Sequence, residues 1–200
     1  MKLSDAVVSV KIAMIDAAQK ASTRRLNVLG NDCPCKPGCA ACCSRLVQLS
    51  VAEALIIYDY LKNKNLWSKV RENAMAQYKL ALSTDEVSWF KMNISCSVLD
   101  QNTKMCMAYL VRPTSCSVHF VTSDPSVCDP WSVSEKAFEK TDFPDIHTDF
   151  MDVIHKELSG RGVLELRLPM PSALLFAEKI QMQKGLTADQ IISILAQETK

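Results

Sequence analysis

The sequence predicts a mainly α-helical fold whose helices pack around an irregular, cysteine-rich centre. Apolar residues recur with helical spacing towards both ends of the chain, and Ser-x-x-Glu capping patterns precede two of the helical segments. The middle of the chain instead concentrates cysteine, serine and proline. We expect a single domain spanning 1–200, with an N-terminal helix at 4–29, a cysteine-cluster core at 33–128 and a C-terminal helical region at 132–198.

The first helix is predicted to run from about Ser4 to Leu29 and to end at Gly30, a residue that commonly follows helix C-termini. Apolar residues recur along it at intervals close to the helical repeat, so one face should pack against the core. The expected buried residues are Val7, Val8, Ile12, Ile15 and Ala18.

A capping box at Ser50–Glu53 predicts a second helix over 51–64. An amphipathic segment follows at 67–82, with two alternative buried faces. One face comprises Val70, Ala74 and Tyr78, and the other comprises Leu66, Val70, Asn73 and Gln77. The segment 88–129 is rich in serine, threonine, cysteine and β-branched residues and is interrupted by prolines, so we expect loops, short turns and a few strand residues there.

The C-terminal region is predicted to contain four further helices. The first follows a second capping box at Ser132–Glu135 and reaches about residue 140. The others cover about 145–158, 171–184 and 187–197, and a short strand is expected within 162–168.

Composition excludes several classes of protein. The 200 residues are 48% hydrophobic and carry 23 basic against 22 acidic residues, which leaves no excess charge to attract nucleic acid. No signal-peptide pattern and no apolar run long enough to span a bilayer are present. No phosphate-binding loop, dinucleotide fingerprint or serine nucleophile elbow occurs. We therefore expect a cytoplasmic protein without a nucleic-acid or membrane partner, and a protein partner stays open.

The nine cysteines are the unusual feature of the composition. Their number is odd and export signals are absent, so metal ligation or redox chemistry is favoured over disulfides. The first cluster runs Cys35-x3-Cys39-x2-Cys42-Cys43, and Gly38 can adopt the positive φ that lets a chain curl round an ion. Because neighbouring side chains diverge, either one of the last pair is buried without ligating, or each serves a different metal.

Further cysteines follow at regular intervals, at Cys96, Cys106 and Cys116, with Cys128 beyond them. A loop-rich segment can fold back and deliver these thiols to the first cluster, where zinc or an iron–sulfur cluster would accept four of them. A buried thiolate centre is negatively charged and needs nearby hydrogen-bond donors, which Arg112 could supply. The alternative role of Arg112, a surface ion pair, is the one that the residues alone favour. Ligation by Cys33, Cys128 and His119 stays open.

Taken together, these motifs resemble the CxxCxxCC family of zinc- or iron-chelating proteins. The matching segments are Cys35-Lys-Pro-Gly-Cys39-Ala-Ala-Cys42-Cys43, Cys96-Ser-Val-Leu-Asp100, and Cys106-Met-Ala-Tyr109-Leu-Val-Arg112-Pro-Thr-Ser-Cys116. The chain departs from the family pattern at three places. Ser97 replaces a proline, Lys104-Met105 replaces a common glycine, and the first spacing is three residues rather than two.

The resemblance implies a ligand set and its supporting residues. The implied metal ligands are Cys35, Cys39, Cys42, Cys43, Cys96, Cys106 and Cys116. The implied supports of the site are Arg112, Tyr109 and Asp100. The implied cofactor is zinc or iron, and a [4Fe–4S] cluster is one form that the iron could take.

Two classes of function are compatible with these residues. The first is a cytosolic metal-binding protein that chelates zinc or iron in a structural or electron-carrying site. The alternative is an iron–sulfur-dependent enzyme, such as a protein methyltransferase or an oxidoreductase, because a similar module occurs in the flagellin lysine methylase. A metal chaperone is a third possibility. An open coordination position beside a pocket would favour the enzyme.

Overall fold

The computed structural model describes residues 5–30, 33–35, 38–121, 125–128, 143–160, 164 and 166–182. Over these residues the fold is mainly helical, as predicted, with one small antiparallel sheet. The helices are α1 (Asp5–Leu29), α2 (Val51–Asn63), α3 (Trp67–Ser83), α4 (Glu86–Lys91), α5 (Thr114–Val118), α6 (Pro144–Leu158) and α7 (Met170–Met182). The strands are β1 (Gln48–Ser50) and β2 (Arg167–Pro169).

The extent of α1 agrees with the prediction, but of its predicted buried face only Val7 is buried. Val8, Ile12 and Ile15 are 41%, 63% and 37% exposed, and Ala18 is half-buried. The helix packs against α2, α5 and α6, and its buried residues are Ala6, Val7, Val10, Met14, Ala17 and Ala21. Both sets have helical spacing, so periodicity could not choose between them. The buried set contains more small residues, which allow close approach of the neighbouring helices.

The helices α2 and α7 form the centre of the fold. Every residue of Val51–Tyr58 and of Met170–Glu178 is buried. Each helix begins directly after a strand, and the strands pair antiparallel with Leu49 opposite Leu168. Because the strands run antiparallel, the two helices begin at opposite ends of this pairing, where the Val51 N–H donates to the Leu166 carbonyl and the Met170 N–H donates to the Val47 carbonyl. The strand expected within 162–168 therefore exists, displaced to Arg167–Pro169.

The helix α3 packs along α7 and combines both predicted buried faces. Val70 and Ala74 are buried, whereas Asn73 and Gln77 are half-buried. Polar contacts lock the two helices together, because the carboxylate of Glu178 accepts hydrogen bonds from Trp67 Nε1 at 2.7 Å and Arg71 Nε at 2.8 Å.

The described part of the segment 88–129 contains more helix than predicted. It overlaps α4 and contains all of α5, where loops and turns were expected. Asp85 caps α4 by accepting a hydrogen bond from the Ser88 N–H at 2.9 Å, and Pro113 precedes the first turn of α5. Both helices are shorter than two turns, too short for hydrophobic periodicity to reveal them.

Of the four helices predicted in the C-terminal region, two lie within the described residues and two lie outside them. The helices α6 and α7 agree with the predictions that began at Asp145 and Pro171. The predicted helices at 132–140 and 187–197 lie outside the described residues. Of the helices that are described, none is sufficiently long and apolar to cross a membrane.

The capping box predicted at the start of α2 is confirmed. The Ser50 Oγ accepts a hydrogen bond from the Glu53 N–H, and Glu53 Oε2 accepts from the Ser50 N–H at 3.0 Å and the Ser50 hydroxyl at 2.9 Å. Both residues are buried. The box fixes the point where β1 turns into the central helix.

We predict that Glu53→Ala lowers the free energy of unfolding by about 1–3 kcal/mol, because it leaves buried donors of Ser50 without an acceptor. Urea denaturation measures the change. The control is Glu72→Ala on the exposed face of α3, which should change stability by less than about 0.5 kcal/mol. Equal losses in the two variants would show that the box does not stabilise the fold.

Candidate metal centre

The structure brings thiols from the two cysteine-containing segments to one cavity. The cavity has a volume of about 140 Å³, and all seven cysteines of the motifs line it. These are Cys35, Cys39, Cys42, Cys43, Cys96, Cys106 and Cys116. The helices α1, α2 and α7 contribute Ala21, Ile57 and Met170 to its wall. The centre of the fold therefore closes one side of the thiol cluster.

The first segment curls as the sequence predicts. Gly38 has a φ of +87°, and a 3₁₀ turn over Ala41–Ser44 carries two of the thiols. Cys35 is held from outside the segment, because its Sγ accepts a hydrogen bond from the Val121 N–H at 3.4 Å and its carbonyl accepts from Arg25 Nη1 at 3.0 Å. Helix α1 thus anchors the beginning of the segment 35–43, which we call the cysteine loop.

One backbone hydrogen bond joins the two segments. The Cys96 N–H donates to the Cys43 carbonyl at an N···O distance of 2.6 Å. Helix α3 holds both flanks of Cys96, since Asn73 Nδ2 donates to the Ser97 carbonyl at 3.2 Å and Gln77 Nε2 donates to the Ser95 carbonyl at 3.0 Å. The half-buried amides of α3 therefore position a thiol.

A tight turn of the chain between Leu99 and Cys106 brings Cys106 to the cavity. Leu99 and Cys106 form an antiparallel bridge. In the turn between them, Asp100 Oδ1 accepts from the Asn102 and Thr103 N–H groups, both at 2.9 Å, and Asp100 Oδ2 accepts from Lys69 Nζ at 2.7 Å. The hydrogen bond from Lys69, followed by those from the backbone, holds the pKa of Asp100 well below its usual range. Asp100 does not line the cavity, so its contacts shape the turn that carries the thiol.

Arg112 and Tyr109 lie beside the thiols. The Arg112 guanidinium stands 4.3 Å above the centre of the Tyr109 ring, and its Nε donates to Ser117 Oγ at 3.1 Å. Both residues line the cavity with Cys116, which lies in the first turn of α5. The stacking and the hydrogen bond hold the Arg112 guanidinium beside the thiols.

The thiols resist ionisation to different degrees. The hydrogen bond from the Cys43 thiol lowers the pKa of Cys42 to about 7, and the Arg45 charge adds to this effect against the opposing effect of burial. Donating that hydrogen bond raises the pKa of Cys43, and burial raises it further. Burial also raises the pKa of Cys96 to about 12 and that of Cys116 well above its ordinary value. The raised pKa values favour the protonated form of Cys43, Cys96 and Cys116, whereas the lowered pKa of Cys42 favours its thiolate.

Burial likewise raises the pKa of Cys106, while the positive charge of Arg112 opposes the rise. The same guanidinium favours the thiolate form of Cys116 and Cys42. A metal cation would act in the same direction and more strongly, because metal binding requires deprotonated cysteine.

Arg25 and Met170 line the cavity but were not predicted from the sequence. Arg25 continues the buried face of α1 that contains Ala17 and Ala21, so the correct helical face would have revealed it. Met170, whose Sδ lies 3.4 Å from Cys96 Sγ, gave no sequence signal. Arg45 also lines the cavity.

The three residues whose ligation was left open, namely His119, Cys33 and Cys128, lie in different places. His119 is half-buried and lines the cavity. Cys33 is half-buried and its thiol lies 3.7 Å from the Cys35 carbonyl. Cys128 is buried at the end of a 3₁₀ turn over Pro125–Cys128 that packs against Ala41–Ser44.

The donor chemistry of this cavity fits a thiophilic metal, although the donors do not yet converge. Within the described part of the chain, no three histidine, cysteine, aspartate or glutamate side chains are arranged to hold one ion. All nine cysteines lie in that part and none forms a disulfide. Binding of a metal would therefore draw free thiols together inside an existing cavity.

Comparison with known proteins identifies one family. A family model named CxxCxxCC, described as a putative zinc- or iron-chelating domain, matches residues 34–142, which is more than half of the chain. Neither the curated proteins nor the solved structures include a significant match.

We predict that Arg112→Ala weakens metal retention by about 10–100-fold without abolishing it, as expected when a residue that supports ligands is lost. Arg112→Lys should rescue incompletely, because an ammonium cannot reproduce the planar guanidinium that stacks on Tyr109. Competition with a chelator measures the affinities. Arg24→Ala is the matched control, since Arg24 pairs with Asp145 away from the cavity. Equal metal retention in wild type and Arg112→Ala would assign Arg112 no part in the site.

Proposed function

The chain belongs to the CxxCxxCC family, and from that membership we propose that it is a cytosolic metal-binding protein whose cysteine cluster chelates zinc or iron. The proposed ligands are the seven thiols that line the cavity. The observation that carries the proposal is their common position, although they come from segments separated by some fifty residues of chain. The free state of every cysteine supports a reducing compartment.

Charge around the cavity supports the same function. Arg25, Arg45, Lys104 and Arg112 line it together with the thiols, and no aspartate or glutamate among the described residues does so. Several deprotonated cysteines around a divalent ion leave a net negative charge, and buried charge requires nearby cations or donors. The cationic lining meets that requirement. The same positively charged lining would disfavour the binding of a cation that is not surrounded by thiolates.

Arg112, Tyr109 and Asp100 act as supports in this proposal. Arg112 offsets thiolate charge, and Tyr109 holds the guanidinium in place by stacking. Asp100 acts at a distance, because its hydrogen bonds to the turn fix the return of the chain to Cys106.

We propose iron, held as a thiolate-ligated cluster, as the native metal, with zinc as the competing occupant. Seven cavity thiols exceed the four that one zinc ion requires, and a polynuclear centre spreads over more ligands. Protein purified under anaerobic conditions should then be brown and contain iron and acid-labile sulfide. A colourless anaerobic preparation with stoichiometric zinc would contradict the iron assignment. A preparation without bound metal, which also fails to take up either metal, would contradict the proposed function.

We predict that Cys39→Ser and Cys42→Ser each lose metal and melt at lower temperature than wild type. The cysteine loop has few apolar residues of its own, and structural metal can contribute about 10 kcal/mol to folding in small domains. Metal analysis and thermal denaturation of the same preparations measure both effects. The control is Ser115→Ala, which removes a hydroxyl group beside Cys116 but no thiol. A variant that kept its full metal content and melting temperature would show that the mutated cysteine is not a ligand.

An iron–sulfur-dependent enzyme is the second candidate, and one observation favours it. A more open cavity of about 460 Å³ adjoins the thiol cavity and shares Cys42, Arg45 and Cys116 with it. A metal centre there would border a space large enough for a small molecule. A transferase or oxidoreductase would need such a space, whereas a purely structural centre would not.

A further inference from the structure

The more open cavity beside the thiols is enclosed by several separate segments of the chain. Residues within 42–48 form one wall, residues within 115–119 form a second, and the start of α6 forms a third. Glu86 of α4 and Arg167 of β2 complete the lining. The volume of about 460 Å³ lies within the range of about 300–1,000 Å³ that is typical of small-molecule sites.

Positive and hydrogen-bond-donating groups dominate the polar part of this lining. Arg45 and Arg167 line the cavity together with the imidazoles of His119 and His147, and Glu86 is the one carboxylate among the described lining residues. A guanidinium is charged at every physiological pH, and even a neutral imidazole carries one N–H donor. The balance of charge therefore favours a ligand with a negatively charged group.

Arg167 is held in place without losing its charge. Its Nη2 donates to the Gln48 carbonyl at 3.2 Å, and its Nη1 lies 3.2 Å from Met151 Sδ. Both partners are neutral, and none of the ion pairs among the described residues includes Arg167. Because a guanidinium has five N–H donors, these two contacts leave others for a ligand.

Arg45 connects this cavity with the thiol cluster. It lines both cavities, as do Cys42 and Cys116. Its guanidinium carbon lies 5.6 Å from the centre of the Phe90 ring, a contact that orients the group and leaves its charge intact. A ligand in the open cavity would therefore lie directly beside the thiols.

The remaining walls are apolar. Leu46, Val118 and Phe143 line the cavity, and each is less than 10% exposed. An inorganic anion would leave these surfaces in contact with water, whereas an organic anion would cover them. The lining thus combines an apolar surface with a few polar groups that can orient a ligand.

We propose that the open cavity binds a small organic anion. Arg45 and Arg167 recognise its carboxylate or phosphate group, and Leu46, Val118 and Phe143 contact its apolar part. A planar guanidinium suits these groups, because it can donate two parallel N–H bonds to their oxygen atoms. The inference goes beyond the proposed metal-binding function, since an anion can bind here whether or not the thiols hold a metal.

Equilibrium dialysis of the full-length protein, as purified anaerobically, tests the inference with three probes. Benzoate and phenyl phosphate carry the two candidate anionic groups on an aromatic ring, and benzamide is the neutral counterpart of benzoate. At least one anionic probe should bind about 10-fold or more tightly than benzamide, because charge-assisted hydrogen bonds are the stronger ones. The tighter of the two anions identifies the preferred group. Equal affinities for all three probes, or binding of none, would overturn the inference.

Two variants locate the binding site. Arg167→Gln should weaken binding of the preferred anion by about 10–100-fold. Lys156→Gln is the matched control, since it removes one positive charge from the exposed surface of α6 and Lys156 lines neither cavity. Equal affinities in the two variants would show that the anion binds elsewhere, and the inference would fail.

The measurements also separate this inference from the proposed function. Metal analysis of the same preparations tests metal binding, and its result does not depend on whether a probe binds. Because Arg167 contacts the Gln48 carbonyl, circular dichroism checks the fold of Arg167→Gln. The comparison of benzamide with the anions on wild type tests the inference without any substitution.

Discussion

Ionising several thiols that are buried side by side is favourable only if something offsets the charge that they acquire. In this protein seven cysteines line a single cavity that helices close on one side. Burial favours the protonated form of Cys96 and Cys116, as their raised pKa values indicate. A metal cation would reverse that balance, and the arginines that line the cavity would act in the same direction. The positions of the loops, the turns and the cationic side chains are all understandable as ways of meeting this requirement.

The fold meets the requirement with few but specific contacts. A backbone hydrogen bond between Cys43 and Cys96 ties the two cysteine segments together, and side-chain amides of α3 hold the second segment on both flanks of its first thiol. Arg25 of α1 anchors the other end of the cysteine loop. The apolar centre made by α2 and α7 closes one side of the cavity, and among the described residues no three ligating side chains are yet arranged to hold one ion. Metal binding would therefore require the thiols to move closer together.

Much of this arrangement could be predicted from the sequence, because the strongest signals were local. The capping box at Ser50 fixed the start of α2, and the cysteine spacing indicated one cluster before any contact was known. The buried face of α1 could not be predicted, since two apolar stripes had the same periodicity and only packing against α2, α5 and α6 distinguishes them. Arg25 was missed for the same reason. The short helices α4 and α5 were missed because their lengths fall below the range in which periodicity is informative.

The central claim is that thiolates from both segments hold a metal, and X-ray absorption at the metal edge tests it most directly. The measurement identifies the element in anaerobically purified protein and the atoms bound to it. The account predicts a zinc or iron edge with a first shell of sulfur, at about 2.3 Å if the metal is zinc. A first shell of nitrogen and oxygen at about 2.0–2.2 Å would contradict it, because cysteines would then not be the ligands.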